Sequence, residues 1–354
     1  MVKQSYRLKW IEIDLSAIAA NIDRVRKALQ PGTRFMAVVK ADAYGHGAVE
    51  VGARALASGA DCLGVLTVEE ALYLREHGIA GKIVVLAPPS PVEAAAAVRS
   101  RAEITIDSEA LANALNRAAK SPILVHLDLD FGLGRWGLAP ARAISFLETL
   151  ARRKKLVCSG ISAHLDYLPG KNAVEAEEKL DRFDRLAGAA AKRFPGLIRH
   201  CANSSILLDF PHRQFDMVRV GNLLYGVNPT TRPIPLKNPF AFKARVSSIR
   251  TVRKGEPIGY ASEYLAPRAM RVASLPVGYS DGLTMEPAER FIGFGRGFHY
   301  WGMLGGKRVP FVGRCGIAHV LVDVAAAPRA KIGDVVTLPI RRTAASPRLP
   351  RLYI

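Results

Sequence analysis

Apolar residues recur along the chain in two rhythms. Near the start, Leu15, Ile18, Ile22, Val25 and Leu29 step by three and four positions, which lays one apolar stripe along a helix. Asp14 or Ser16 is placed to cap it. Short apolar runs then alternate with helix-like stretches. The runs are Phe35–Val39, Cys62–Leu66, Ile83–Leu86, Ile104–Ile106, Ile123–Leu129, Leu156–Ser162, Arg199–Cys201 and Met217–Val220. Between them lie segments of helical spacing such as VEEALYLREHG and SEALANALNRA. Thr67 followed by Glu70 reads as a capping box, and Asp107 and Ser108 as cap candidates. Near-continuous apolar strands alternating with helices predict a parallel sheet covered by helices. Eight repeats in about 200 residues predict that the sheet closes into a (β/α)8 barrel of the TIM type. An open doubly wound sheet is the competing fold, and no GxGxxG follows the first strand to favour its dinucleotide-binding form.

The rhythm changes after about residue 235, where TTRPIPLKNP reads as a linker. Beyond it come alternating runs, FKARVSSIRTV, MRVASLPVGY, RVPFVGRC, HVLVDV and DVVTLPI, punctuated by Gly and Pro. The expected organisation is α/β: a barrel domain over residues 1–237 and a mostly β domain over residues 238–354.

Composition narrows the class. The 354 residues are 49% hydrophobic and 23% charged, which suits a globular protein and not a disordered one. No apolar run approaches the ~18–20 residues of a membrane span, and the first fifteen residues hold no apolar signal segment. Fifty Lys and Arg against 31 Asp and Glu leave a net charge of +19, which opens a nucleic-acid reading. Yet the basic residues are scattered apart from Arg152-Arg153-Lys154-Lys155, and aromatic residues are only 7%, too few for a base-stacking surface. Cys62, Cys158, Cys201 and Cys315 lie far apart without a CxxC, which fits a reducing, cytoplasmic compartment and predicts no metal site.

Barrel chemistry sits at the C-terminal ends of strands. The first strand ends in Lys40, followed by Ala41-Asp42-Ala43-Tyr44-Gly45-His46-Gly47. A lysine at a barrel mouth is partly desolvated, which favours the neutral amine that Schiff-base chemistry needs. Later strand ends present His164, the segment from His200 to Ser205, and Arg219-Val220-Gly221-Asn222. Ser204 and the Gly221 and Asn222 amides follow strands seven and eight, where barrels often hold phosphate. Taken singly, each of these also reads as a strand-end lysine reaching solvent, a polar loop residue or a turn glycine.

Together, AVVKADAYGHG, HCANSS, MVRVG, GEPIGYASEY and VGYSDG resemble the alanine racemases that depend on pyridoxal 5'-phosphate, from about Trp10 to Asp334. The resemblance implies that Lys40 holds the cofactor as a Schiff base and serves as base on one face of the substrate α-carbon. Tyr44, Ser204 and the Gly221 and Asn222 amides match its phosphate ligands, and Asn203 a further cofactor-binding residue. Arg219 matches the arginine facing the pyridine nitrogen, with His164 beside it. A guanidinium cannot accept a proton, so the nitrogen stays unprotonated and side reactions such as transamination are curbed. Tyr260 matches a second base, which reaches the opposite face from the other subunit of a head-to-tail homodimer. Arg135 and the Ile317 amide match groups that seat the substrate carboxylate, and Tyr279 one that lines the entrance. Where many relatives carry a carbamylated lysine supporting that arginine, this chain has Asp128, whose carboxylate offers the same charge.

Several positions depart from the family pattern. Its GR-x-CMDQ reads Gly313-Arg314-Cys315-Gly316-Ile317-Ala318-His319, so a methionine and an aspartate are replaced. A basic residue expected after Gly282 is replaced by Leu283, Thr284 and Met285, and Pro347 stands where a phosphate-contacting tyrosine is expected. The expected activity is interconversion of L- and D-alanine, supplying D-alanine for peptidoglycan, with an amino acid as the only ligand besides cofactor and no nucleic-acid or membrane partner. The alternatives are racemisation of serine or a basic amino acid, and a pyridoxal-phosphate protein with weak or no racemase activity.

Overall fold

The computed structural model describes residues 7–283 and 300–354; Thr284 and Met285 fall outside them. The chain divides into two compact units, one spanning Leu15–Asn238 and the other combining the residues up to Asp14 with those from Pro239 onward. The expected boundary at 237/238 lies one residue from the observed one, but the assignment of the first residues to the barrel does not hold. Strand β1 (Lys9–Ile13) pairs with strands at the far end of the chain, so hydrogen bonding places it with the β unit.

The barrel unit opens with α1 (Leu15–Lys27), which buries Ile18, Ile22 and Val25 as its stripe requires; Leu29 lies past its end. There follow β2 (Arg34–Val38), the turn α2 (Lys40–Gly45), α3 (Ala48–Ala57), β3 (Cys62–Val65), α4 (Val68–Glu76), β4 (Ile83–Val85), α5 (Ala94–Arg99) and β5 (Glu103–Ile106). The second half runs α6 (Glu109–Ala118), β6 (Ile123–Leu129), α7 (Ala143–Ala151), β7 (Leu156–Ala163), α8 (Ala173–Arg193), β8 (Ile198–His200), α9 (Ser204–Asp209) and β9 (Met217–Val220). Thr67 and Glu70 form the expected capping box on α4, and the Ser108 hydroxyl caps α6.

All eight expected runs are strands, joined in parallel in the order β8-β7-β6-β5-β4-β3-β2-β9. Asp216 N–H to Arg199 O at 3.0 Å and Arg219 N–H to Ala202 O at 2.9 Å link the two ends and close the ring. The result is the predicted (β/α)8 barrel. Met36, Cys62, Val84 and Met217 pack as an apolar cluster across one side of its interior.

The β unit contains β10 (Phe240–Arg245), β11 (Ser248–Val252), β12 (Met270–Leu275), β13 (Trp301–Leu304), β14 (Lys307–Val312), β15 (Val320–Asp323), β16 (Val335–Leu338) and β17 (Arg351–Tyr353). With β1 they form, among the described residues, a nine-stranded sheet of order β11-β12-β15-β14-β13-β16-β10-β1-β17. Its pairs are antiparallel except β1 with β17. Val252, Ile258, Met270, Val272 and Val312 form a core on it.

The four cysteines are free, and burial pushes the thiols of Cys62 and Cys201 up to about 12 and those of Cys158 and Cys315 up to about 11. Among the described residues no cluster of His, Cys, Asp and Glu could hold a metal ion, and no helix is long and apolar enough to cross a membrane.

Candidate active site

Lys40 follows β2 after one residue, Val39, and is half-buried beyond the strand's C-terminal end. The turn that carries it is left-handed: Ala41, Asp42, Ala43 and Tyr44 all have φ between 51° and 56°. For L-residues this costs roughly 1–2 kcal/mol each, so surrounding bonds must hold the turn. Ala43 N–H reaches Val39 O at 2.8 Å, and Asp42 Oδ1 accepts from Ala48 N–H at 2.8 Å. The Glu70 carboxylate that caps α4 also accepts Ala41 N–H at 2.6 Å. This capping side chain therefore ties the lysine turn to the start of α4, a link invisible in the local sequence. Burial, followed by the Arg135 charge, lowers the proton affinity of the Lys40 amine, against a smaller raising effect of Glu70.

The same cavity, about 240 Å³, is lined by Lys40, Tyr44, Asp128, Arg135 and His164, and across from them by Asn203, Ser204, Arg219, Gly221 and Asn222. Every barrel residue singled out from the sequence thus meets in one place. Tyr44 is braced by Tyr225, whose ring lies 4.8 Å away and whose hydroxyl donates to Val38 O at 2.9 Å. The Gly221 amide donates to the Ser204 hydroxyl at 3.3 Å, and Asn203 caps α9 by accepting from Ser205 and Ile206 N–H. A Cβ on Gly221 would stand 2.5 Å from the Tyr44 hydroxyl, so only glycine lets hydroxyl and amide converge. Two hydroxyls and a backbone amide at one spot make a cradle for an anion.

Arg219 is buried beneath this cradle. Its guanidinium donates to Ala163 O at 2.7 Å, to His200 O, and to His200 Nδ1 at 3.0 Å. His164 Nδ1 lies 3.5 Å away. Burial, then the charges of Arg219, Arg135 and Lys40, push the His164 ring down to about 3, so it is neutral at ordinary pH. Asp128 is buried too, and its Oδ1 accepts from the Ser162 hydroxyl at 2.5 Å. Burial pushes its carboxyl up to about 6, although the Ser162 bond and the Arg219 and Arg135 charges oppose the rise. The Arg135 guanidinium lies over the Trp136 ring, 3.6 Å from its centre. Trp136, Ser162 and Tyr225 are not singled out in the sequence. Glu70 reads there only as a helix cap and His200 only as part of the strand-end HCANSS.

Three further residues gather on the β unit. Tyr260 opens a 3₁₀ turn and is 67% exposed; Tyr279 and Ile317 are also exposed. Tyr279 N–H bonds to Gly316 O and Ser280 N–H to Ile317 O, so the two loops run side by side. The edge of the Tyr260 ring lies 3.5 Å from where a Cβ on Gly316 would be.

An amine at the end of a barrel's first strand, an anion cradle after its last two, and a buried guanidinium lining the same cavity make a barrel site that suits an anionic ligand. The family descriptions "Alanine racemase, N-terminal domain" and "Alanine racemase, C-terminal domain" match residues 13–229 and 240–348. The alanine racemase of Desulfovibrio desulfuricans is 36% identical over 338 residues, covering 93% of this chain and 88% of that protein. That of a Nostoc species is 35% identical over 341 residues, covering 93% and 86%. Among solved structures, the Bacillus anthracis alanine racemase with bound L-Ala-P superposes with TM-score 0.85 at 28% identity, covering 99% of this chain and 95% of that one. The Clostridium difficile enzyme shares the fold with TM-score 0.89 at 24% identity, covering 98% and 96%. The chain belongs to the alanine racemase family.

Proposed function

We propose that this protein interconverts L- and D-alanine with pyridoxal 5'-phosphate in the barrel cavity, supplying D-alanine for peptidoglycan in the cytoplasm. The observation that carries the reading is the single cavity shared by the Lys40 amine, the cradle and the Arg219 guanidinium. The cradle fits the cofactor, because the space kept open at Gly221 brings Tyr44 and Ser204 together where a phosphate ester would sit. Tyr44, Ser204 and the Gly221 and Asn222 amides would hold that phosphate, with Asn203 fixing the start of α9. When bound, the cofactor supplies an electron sink that acidifies the α-proton of an amino acid joined to it.

The chain's residues do the rest. Lys40 would hold the cofactor through its amine, and its free amine would take or return a proton on one face of the α-carbon. Its lowered proton affinity favours the free base this requires. Arg219, which has donors only, would face the ring nitrogen and supply it no carboxylate to keep a proton there. His164 sits beside it as a neutral ring and adds no charge. Arg135 pairs with the substrate carboxylate, and its packing on Trp136 limits its motion. Asp128 adds negative charge behind the two arginines.

The second base is the partner subunit's Tyr260, in a homodimer whose β units complete the opposite cavities. Tyr279 and the Ile317 amide arrive with it, at the entrance and the substrate carboxylate. The exposure of all three supports this reading, since a second subunit would cover them.

The test is direct. The purified protein should show an absorbance band near the visible edge that Lys40→Ala abolishes. It should also convert L-alanine to D-alanine with solvent deuterium entering the α-position. A bound cofactor without exchange into alanine would overturn the activity, and a panel including serine and lysine would then show whether another amino acid is the substrate.

A further inference from the structure

The barrel interior is unequally filled. On one side Met36, Cys62, Val84 and Met217 form the apolar layer expected of a barrel. On the other, three polar groups occupy the interior. Glu103 opens β5 at the strand's N-terminal end, with its side chain 15% exposed. His126 lies in the middle of β6, and His200 ends β8; both are fully buried. Oε2 of Glu103 lies 2.6 Å from Nε2 of His126. Nδ1 of His126 lies 2.8 Å from Nε2 of His200. Nδ1 of His200 lies 3.0 Å from Nη1 of Arg219.

The proton positions follow by elimination. A guanidinium has donors and no acceptor, so His200 Nδ1 must accept. The His200 proton then sits on Nε2 and is donated to His126 Nδ1. That bond leaves His126 its one proton on Nε2, donated to Glu103. Both rings are neutral, and the contact between Glu103 and His126 is a hydrogen bond to a carboxylate from an uncharged imidazole. All three bonds point the same way, from the cation at the mouth to the anion near the opposite rim, and each polarises the next. Burial holds His200 well below its ordinary range, in keeping with a neutral ring.

The neighbouring strand makes room for this arrangement. Gly160 on β7 is paired with His126, and a Cβ there would overlap the imidazole, standing 2.7 Å from Cε1. The β6–β7 register also shifts between Val125 and His126, at the residue that carries the ring.

We propose that Glu103 and His126 are positioning residues for Arg219, completing a one-directional relay that fixes its guanidinium through His200. The relay places a second carboxylate two imidazoles from the arginine, besides the Asp128 charge that acts on it from the cavity wall. Arg219 thus keeps its charge and orientation through His200 and backbone carbonyls, with no carboxylate among its hydrogen-bond partners within the described residues. The consequence for catalysis rests on the assignment of Arg219 made above; the relay itself does not.

Ring-labelled ¹⁵N-histidine spectra of the full-length protein without cofactor test the relay. His126 and His200, assigned through His126→Gln and His200→Gln, should both carry the proton on Nε2. Gly160→Ala and Glu103→Leu should each disturb the His200 signal, and Glu103→Gln, which keeps an acceptor oxygen, should restore it. In the cofactor-loaded protein, Glu103→Leu and His126→Gln should shift the visible absorption band and lower kcat about tenfold with KM within about twofold, as for other outer-shell partners. A proton on Nδ1 of either ring in the wild type overturns the proposal. So does an unchanged His200 signal in both Glu103→Leu and Gly160→Ala. The Nε2 pattern in a protein that does not racemise alanine would leave the relay standing and remove the activity instead.

Discussion

Asp128 is a buried carboxyl among guanidinium groups, and its chemistry depends on which influence wins. Burial dominates and pushes it up to about 6, so it takes up a proton on the acid side of neutrality. Its folded-state affinity for protons exceeds that of an unfolded aspartate near 3.9, so the stability it contributes is present below pH 4 and lost as pH rises through about 6. In urea titrations of the cofactor-free protein, the wild type should lose on the order of 2–3 kcal/mol relative to Asp128→Asn between pH 4 and pH 7. Parallel stability curves for the two proteins would show that Asp128 titrates in the ordinary range. The residue itself was legible in the sequence, through the family resemblance alone. Its bond to Ser162 was not, because that contact arises from the pairing of β6 with β7.

At the scale of elements, the turn carrying Lys40 sets the geometry. Four successive residues in the left-handed region, none of them glycine, present the lysine and Tyr44 to one cavity. Ala41 is exposed, so a substitution there reports on backbone strain more than on packing. Ala41→Val should destabilise the cofactor-free protein by about 1–2 kcal/mol, because a β-branched side chain crowds a left-handed backbone. Ala41→Gly should change stability by less than about 1 kcal/mol, since relief of strain offsets the greater freedom of the unfolded chain. Equal urea midpoints for the two variants would show that the turn is not left-handed in solution. Nothing in ADAYG announces this conformation, because alanine and tyrosine ordinarily avoid it. The capping box of α4, by contrast, was readable from Thr67 and Glu70 alone, since it closes within one helical turn.

At the scale of the whole molecule, the proposed site needs two chains. Lys40→Ala and Tyr260→Phe homodimers should each be nearly inactive. When the two variants are assembled together, half of randomly assorted dimers are mixed and each holds one intact site of two. Activity should therefore return to about a quarter of wild type per chain. Mixtures that stay as inactive as either parent would sink the shared-site arrangement.

The sequence by itself determined whatever depends on near neighbours: eight apolar strands, the helices between them, the β-rich last third, and the strand-end residues that meet at the barrel mouth. Those features follow from side-chain period and from motifs a few residues long. Only the tertiary structure decided that KWIEI pairs with strands more than 200 residues away. It alone joined Glu103, His126, His200 and Arg219 into one line through the barrel. Partners so far apart in the chain are chosen by which strands a closing sheet sets side by side, and no local pattern of polar and apolar residues carries that information.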